Sequence, residues 1–237
     1  MHNYQLQSHF AVAASSRTPK HILSSSDLCA ADIRIILDTA KELKAWRKSH
    51  TAVWPQDGLL LSMIFEKQSL RTRVSFEAAF RELGGHAVYL TPSDIGPGTR
   101  ESMGDIAQVL STWSTLIVAR LKSHSSLIAL AEASSAPVIN ALTDEEHPCQ
   151  ALADMLTVEE SFGQQPLKLV YIGDGNNVAN SFAITASMLG HEVVICCPEG
   201  FEPSAKALAY PNVSVEVNPE KAVKGAAVIY TDVWVSM

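Results

Sequence analysis

Apolar and polar residues alternate along this chain in two rhythms, one helical and one of short continuous apolar runs. From Asp27 to His50 the residues Leu28, Ile33, Ile36, Leu37, Ala40 and Leu43 recur at helical spacing. That pattern predicts a long amphipathic helix, with Ser26 or Asp27 capping its first turn. A breaker stretch from Pro55 to Gly58 follows, and then the rhythm changes. Leu59 to Phe65 reads as a strand followed by a helix from about Thr72. His86 to Leu90 reads as a strand followed by a helix from about Glu101, and Leu116 to Ala119 as one followed by a helix after Ser123. Val138 to Leu142 precedes a helix after Pro148. The same order continues through Leu169 to Ile172, a helix from Asn177 to Leu189, Val193 to Cys196, a short helix from Ser204 to Tyr210, Val213 to Val217 and a last strand from about Val228.

Strands alternating with helices argue for parallel sheets covered on both faces. The predicted strands fall into two groups on either side of a helix near residues 150–162. The expected fold class is therefore α/β, with two doubly wound parallel-sheet domains joined by a helix, the first over residues 19–150 and the second over 151–237. Residues 1–18 hold Arg17 but no Asp or Glu and lack the apolar centre of a secretory signal, so they read as a loose extension in preference to a targeting peptide. No repeat and no low-complexity tract interrupts the pattern.

Composition narrows the function classes. A chain of 237 residues that is 47% hydrophobic and 18% charged can bury a large core. Its formal net charge of -7 supplies no general field for a nucleic acid, so any anion site must be local. No apolar run approaches the roughly 18 residues of a membrane-spanning helix. The four cysteines, Cys29, Cys149, Cys196 and Cys197, show no CxxC spacing, which fits a reducing compartment and a cytoplasmic protein.

In open parallel sheets ligands gather beyond the C-terminal ends of the strands, so the loops there are where chemistry is expected. The first such loop, Ser69-Leu70-Arg71-Thr72-Arg73, opens a helix and offers hydroxyls, guanidinium groups and free backbone N–H groups to an anion. A capped helix with solvated arginines fits its composition equally well. The second places Arg120 at a strand end, with Lys122 and His124 beyond it. The third runs from Thr143 to Gln150 and puts His147 and Gln150 at the mouth, where His147 also reads as a turn residue beside Pro148. The fourth, Gly173-Asp174-Gly175-Asn176-Asn177, departs from GxGxxG, so a dinucleotide site is the lesser reading and Asn177 offers a neutral amide instead. The last strand leads into Asp232 and Ser236-Met237, and a carboxylate there suits an ammonium group.

Taken together, Ser69 to Arg73, His147-Pro148-Cys149-Gln150, Gly173 to Asn177 and Asp232 to Met237 resemble the ornithine carbamoyltransferases in order and spacing, across residues 20–237. The aspartate transcarbamoylases share the first two motifs. The resemblance implies transfer of a carbamoyl group from carbamoyl phosphate to the side-chain amine of ornithine, with no metal or organic cofactor, in a homotrimer. It implies that Ser69, Leu70 through its backbone, Arg71 and Thr72 hold the phosphate, and that Arg120, His147 and Gln150 hold the carbamoyl end, with Arg71, Arg120 and His147 catalytic. Asn177, Asp232, Ser236 and Met237 would bind ornithine. The first domain would then take carbamoyl phosphate and the second ornithine.

Two departures are visible. Asp94-Ile95-Gly96-Pro97-Gly98-Thr99 stands where many relatives carry a glutamine that reaches carbamoyl phosphate. The family also continues past Ser236-Met237 with a His-Cys-Leu-Pro loop and terminal helices, so the resemblance implies a C-terminally truncated chain whose second domain is incomplete. Other acceptors, putrescine or aspartate, and a non-catalytic binding subunit remain as alternatives.

Overall fold

The computed structural model describes residues 19–49, 58–96 and 101–232. The extension expected over 1–18, most of the breaker stretch and residues 97–100 of the departing loop lie outside the described residues. The first sheet is made of β1 (Leu60–Phe65), β2 (His86–Leu90), β3 (Leu116–Arg120) and β4 (Val138–Leu142), all parallel, in the order β2-β1-β3-β4. The second consists of β5 (Lys168–Ile172), β6 (Glu192–Cys196), β7 (Val213–Val215) and β8 (Val228–Thr231), parallel in the order β7-β6-β5-β8.

The helices are α1 (Ala30–Ser49), α2 (Leu70–Glu82), α3 (Pro92–Ile95), α4 (Met103–Ser111), α5 (His124–Ala133), α6 (Pro148–Phe162), α7 (Asn177–Met188), α8 (Ala205–Leu208) and α9 (Pro219–Ala222). They cover both faces of each sheet. On one side of the first sheet Ile64, Ile117 and Val138 pack with Ile106 of α4 and Leu127 and Leu130 of α5, while on the other Leu61, Met63 and Val118 pack with Phe80 of α2. The second sheet buries Leu169, Tyr171, Val193 and Ile195 against α6 and α7, and Val170 and Val194 against α9.

Helix boundaries differ from the sequence pattern where a side chain is already occupied. The long first helix starts at Ala30, not near Asp27, because the Asp27 carboxylate accepts from the backbone N–H groups of Leu23 and Ser24 and closes a short 3-10 turn over Ser25–Asp27. Asp32 takes over at the start of α1 by accepting from Cys29 N at 2.9 Å. The second helix begins earlier than Thr72, because Ser69 caps it and accepts from Thr72 N. The short helices α3 and α9, both begun by a proline, were not evident from apolar spacing.

The N-terminal segment is the strap of the molecule. Ile22 pairs in parallel with Ile139 at the free edge of β4, through Ile22 N to Val138 O and Asn140 N to Ile22 O. Beyond it, α1 leaves the first sheet and buries Ile33 and Leu37 in the same core as the second sheet. There Arg34 and Lys41 of α1 grip Glu159 of α6, which is 6% exposed.

A second buried carboxylate joins more elements. Glu146, between β4 and α6, accepts from Ser24 Oγ at 2.5 Å, Ser25 N at 2.7 Å, Ser181 Oγ of α7 at 3.3 Å and Lys206 Nζ of α8 at 3.0 Å. Burial alone would raise its pKa, but the donors from Ser24, Ser25 and Lys206 more than offset that and hold it below the usual value. Removing the carboxylate leaves these donors facing one another. Glu146→Ala should therefore cost about 3 kcal/mol of unfolding free energy, the low end for a broken buried pair because Lys206 is half exposed. Urea denaturation measures this, and a loss below about 1 kcal/mol would contradict the assigned role.

Candidate active site

Because every strand of a parallel sheet ends at the same edge, the loops singled out in the sequence are delivered to one side of the molecule. They line a single cavity of about 550 Å³ between the two sheets. From the first sheet come Ser69, Arg71, Thr72, Arg120, His147 and Gln150; from the second come Asn176, Asn177, Tyr230 and Asp232. Ser236 and Met237 lie outside the described residues. Lys122 and His124 are not part of the wall. His124 is instead buried, with Nδ1 2.9 Å from Thr143 Oγ1.

The start of α2 shows how the first loop acts. Ser69 is the N-cap, so its hydroxyl accepts from Thr72 N at 3.3 Å and donates to Thr72 Oγ1 at 2.9 Å. The Leu70 and Arg71 amides precede the first intrahelical bond and have no partner among the described residues. Leu70 turns its side chain outward at 79% exposure, so it can serve the cavity only through its backbone. Lys67, which carried no role in the sequence reading, also lines the wall.

Arg120 is the last residue of β3 and is only 7% exposed. Its Nε is buried without a hydrogen bond, and no carboxylate among the described residues forms an ion pair with it. Burial lowers its pKa. A buried cation without a counter-ion is unfavourable, and an anionic ligand would supply the missing partner.

His147 precedes Pro148 at the start of α6, and its backbone N donates to Ser181 Oγ at 2.8 Å. Burial, and then the charge of Arg120, push its pKa down to about 4. Cys149, in the same wall, donates its thiol to Asn140 O, and burial pushes it up to about 12, so it is held as a thiol.

The second sheet adds its groups through α7. Asn176 caps this helix by accepting from Val178 N and Ala179 N. Asn177 donates through Nδ2 to Thr143 O at 2.5 Å, which ties the two halves of the wall together and leaves its carbonyl oxygen for a ligand. Gly175 allows a close crossing here, since a Cβ would meet Pro203 N at 2.1 Å. Tyr230, absent from the sequence reading, lies on β8 two residues before Asp232, which follows the strand's end, and both line the cavity. Its phenol is pushed up by burial and then by the carboxylates of Asp154 and Asp232. Among the described residues no group of three or more His, Cys, Asp or Glu side chains is placed to hold a metal ion.

Comparison with known proteins bears on this arrangement. Residues 20–160 match the model of the aspartate/ornithine carbamoyltransferase carbamoyl-P binding domain, and residues 165–237 that of the Asp/Orn binding domain. The chain belongs to the aspartate/ornithine carbamoyltransferase family. Among curated members of this family, the ornithine carbamoyltransferase of Pyrococcus abyssi is 45% identical over 228 residues, covering 92% of this chain and 72% of that protein. The chloroplastic ornithine carbamoyltransferase of Pisum sativum is 44% identical, and the chain spans 60% of its length. The solved ornithine carbamoyltransferase from Pyrococcus furiosus superposes with a TM-score of 0.88 at 44% identity over 92% of this chain and 72% of that one. The Thermus thermophilus structure gives 0.86 at 41% identity, over 92% of this chain and 75% of that one.

The depressed basicity of His147 has a consequence for stability. Its folded pKa of about 4 lies below the ordinary 6.5, so between these values the unfolded chain binds a proton that the folded chain refuses. The contribution is intact above about pH 6.5 and is lost as pH falls toward 4, by about 3 kcal/mol at most. His147→Gln should therefore lose less stability than the parent over that window in urea unfolding. A difference between the two that does not vary with pH would refute the assignment.

Proposed function

We propose that the chain acts as an ornithine carbamoyltransferase, moving the carbamoyl group of carbamoyl phosphate to the side-chain amine of L-ornithine to give L-citrulline and phosphate. The single observation that carries this reading is the meeting, in one cavity, of an uncompensated Arg120, the open helix start at Ser69 to Thr72 and a carboxylate, Asp232, on the opposite wall. Phosphate takes the N–H groups of Leu70 and Arg71, the hydroxyls of Ser69 and Thr72 and the fork of Arg71. The carbamoyl end lies toward Arg120, His147 and Gln150. Ornithine enters from the second sheet, with Asp232 taking an ammonium group and Asn177 offering its carbonyl oxygen. The family resemblance assigns Ser236 and Met237 to ornithine as well. Residues 19–150 thus serve carbamoyl phosphate and residues 151–237 ornithine.

In the reaction the neutral amine of ornithine attacks the carbamoyl carbon. The new C–N bond forms, the C–O bond to phosphorus breaks, and phosphate leaves with the electron pair while the amine's proton passes to phosphate or water. Negative charge grows on the carbamoyl oxygen and then on phosphate. Fixed donors placed before the reaction stabilise that charge most effectively. His147 acts as a neutral donor: Nδ1 is buried without a partner, and an unshared lone pair is tolerated better than an unshared N–H, so the proton sits on Nε2. Arg71 and Arg120 supply the permanent charge. Holding both substrates in line contributes orientation that need not be found at the moment of reaction.

The same reading places the protein in arginine metabolism, including a urea cycle where one operates, as a homotrimer in a reducing, cytoplasmic setting. All four cysteines are free thiols, as that setting requires. No described helix is long and apolar enough to cross a membrane. Inorganic phosphate and carbamoyl phosphate should raise the melting temperature of the chain, and Arg71→Ala should abolish both shifts. An unchanged phosphate shift in that variant would overturn the cage. An assay offering ornithine, putrescine and aspartate in turn should form product with ornithine alone.

A further inference from the structure

Carbamoyl phosphate differs from an acyl phosphate in one respect that the phosphate cage cannot read. Its carbonyl carbon bears an NH2 group, which donates two hydrogen bonds and accepts none, where acetyl phosphate bears a methyl. Most of the groups assigned to the first-sheet side of the cavity are themselves donors: Arg71, Arg120, the neutral His147 and the amides at the start of α2. Recognition of the NH2 group therefore requires an acceptor held in place. Gln150 lines the cavity, but a side-chain amide presents an oxygen or an NH2 of nearly the same shape, and its two orientations are opposite in meaning.

The orientation is set one turn further along α6. Gln150 Nε2 donates to Asp154 Oδ1 at 2.8 Å, across an i, i+4 spacing. The Asp154 oxygen is the acceptor in this bond, which draws the NH2 end of Gln150 toward it and turns the amide oxygen away. Gln150 Oε1 makes no hydrogen bond among the described residues and is not a buried, unpartnered atom, so it stays accessible on the residue that forms the wall. Asp154 itself is held there at a cost. Its second oxygen, Oδ2, is buried beside the Tyr230 phenol without a hydrogen bond of ordinary geometry. Burial raises its pKa above the ordinary carboxylate value, and the Gln150 N–H and the Tyr230 phenol offset only part of that.

We propose that Asp154 is a positioning residue that makes the site select a carbamoyl group over an acyl group, by locking the Gln150 amide with its oxygen toward the cavity. This rests on the carbamoyl phosphate reading above and adds to it the origin of discrimination at the carbon. Asp154 does not touch the substrate. Asparagine at this position has the same shape but can bond either end of Gln150, so the lock is lost while the packing stays.

The test compares three ligands, inorganic phosphate, acetyl phosphate and carbamoyl phosphate, by calorimetric titration of the parent chain and of Asp154→Asn. The parent should bind carbamoyl phosphate more tightly than acetyl phosphate. In the variant that preference should fall by at least about tenfold, the worth of one hydrogen bond replaced by a mismatch, with phosphate and acetyl phosphate affinities unchanged. A preference that survives the substitution overturns the proposal. So does an equal loss for all three ligands, which would mark Asp154 as a support for the cavity as a whole. If Asp154→Asn does not fold by circular dichroism, Asp154→Ser carries the same comparison. A parent chain that binds none of the three would instead overturn the carbamoyl phosphate reading, and this inference with it.

Discussion

Parallel strands impose one constraint from which the rest follows: each must return by a crossover, so all of them end at the same edge. In the first sheet this brings the loops after β1, β3 and β4 together, and in the second those after β5 and β8. Helix starts accumulate at that edge as well, since α2, α6 and α7 begin there, and their unpaired N–H groups make it electropositive. Arg120 adds a full charge at a strand end where burial denies it water. The cavity is thus prepared for an anion by backbone direction first and by side chains second.

The two sheets contribute unlike halves to the site. The first supplies cations and donors, through Arg71, Arg120 and His147, and the second supplies Asp232 and the carbonyl oxygen of Asn177. Neither half alone carries both the cationic donors and the carboxylate. The hydrogen bonds from Asn177 to Thr143 and from His147 to Ser181 cross the gap between them and set their spacing. Catalysis by orientation depends on that spacing, because small displacements of fixed donors weaken them steeply.

The strands were legible because each is a short apolar run bounded by polar loops, and β2 and β4 lie where the pattern put them. The loop residues were legible because their types are unusual together at strand ends. What escaped has a common cause. The spacing offers Ser26 or Asp27 as the cap for α1, yet Asp27 serves the turn before it, since local spacing cannot say which of two nearby ends a carboxylate will choose. Glu146 passed unnoticed because its partner Ser24 lies 122 residues away. Tyr230 and Asp154 carried faint signals, a place two residues before Asp232 and a helical turn from Gln150, that gain meaning only once the cavity is known. Short-range pattern encodes elements, and long-range pairing of polar groups encodes how they meet.

The knot around Glu146 also sets an order of events during synthesis. The first four strands leave the ribosome before α7 and α8 exist, and at that stage only Ser24 and Ser25 are there to hold the Glu146 carboxylate. Lys206 follows Glu146 by 60 residues, a delay of roughly 3 to 12 seconds at ordinary translation rates. Through that interval Glu146 has its serine donors but not its ion-pair partner, and the His147 backbone N–H lacks its bond to Ser181. The bond that fastens the His147 backbone thus waits for α7, an element of the second sheet's half.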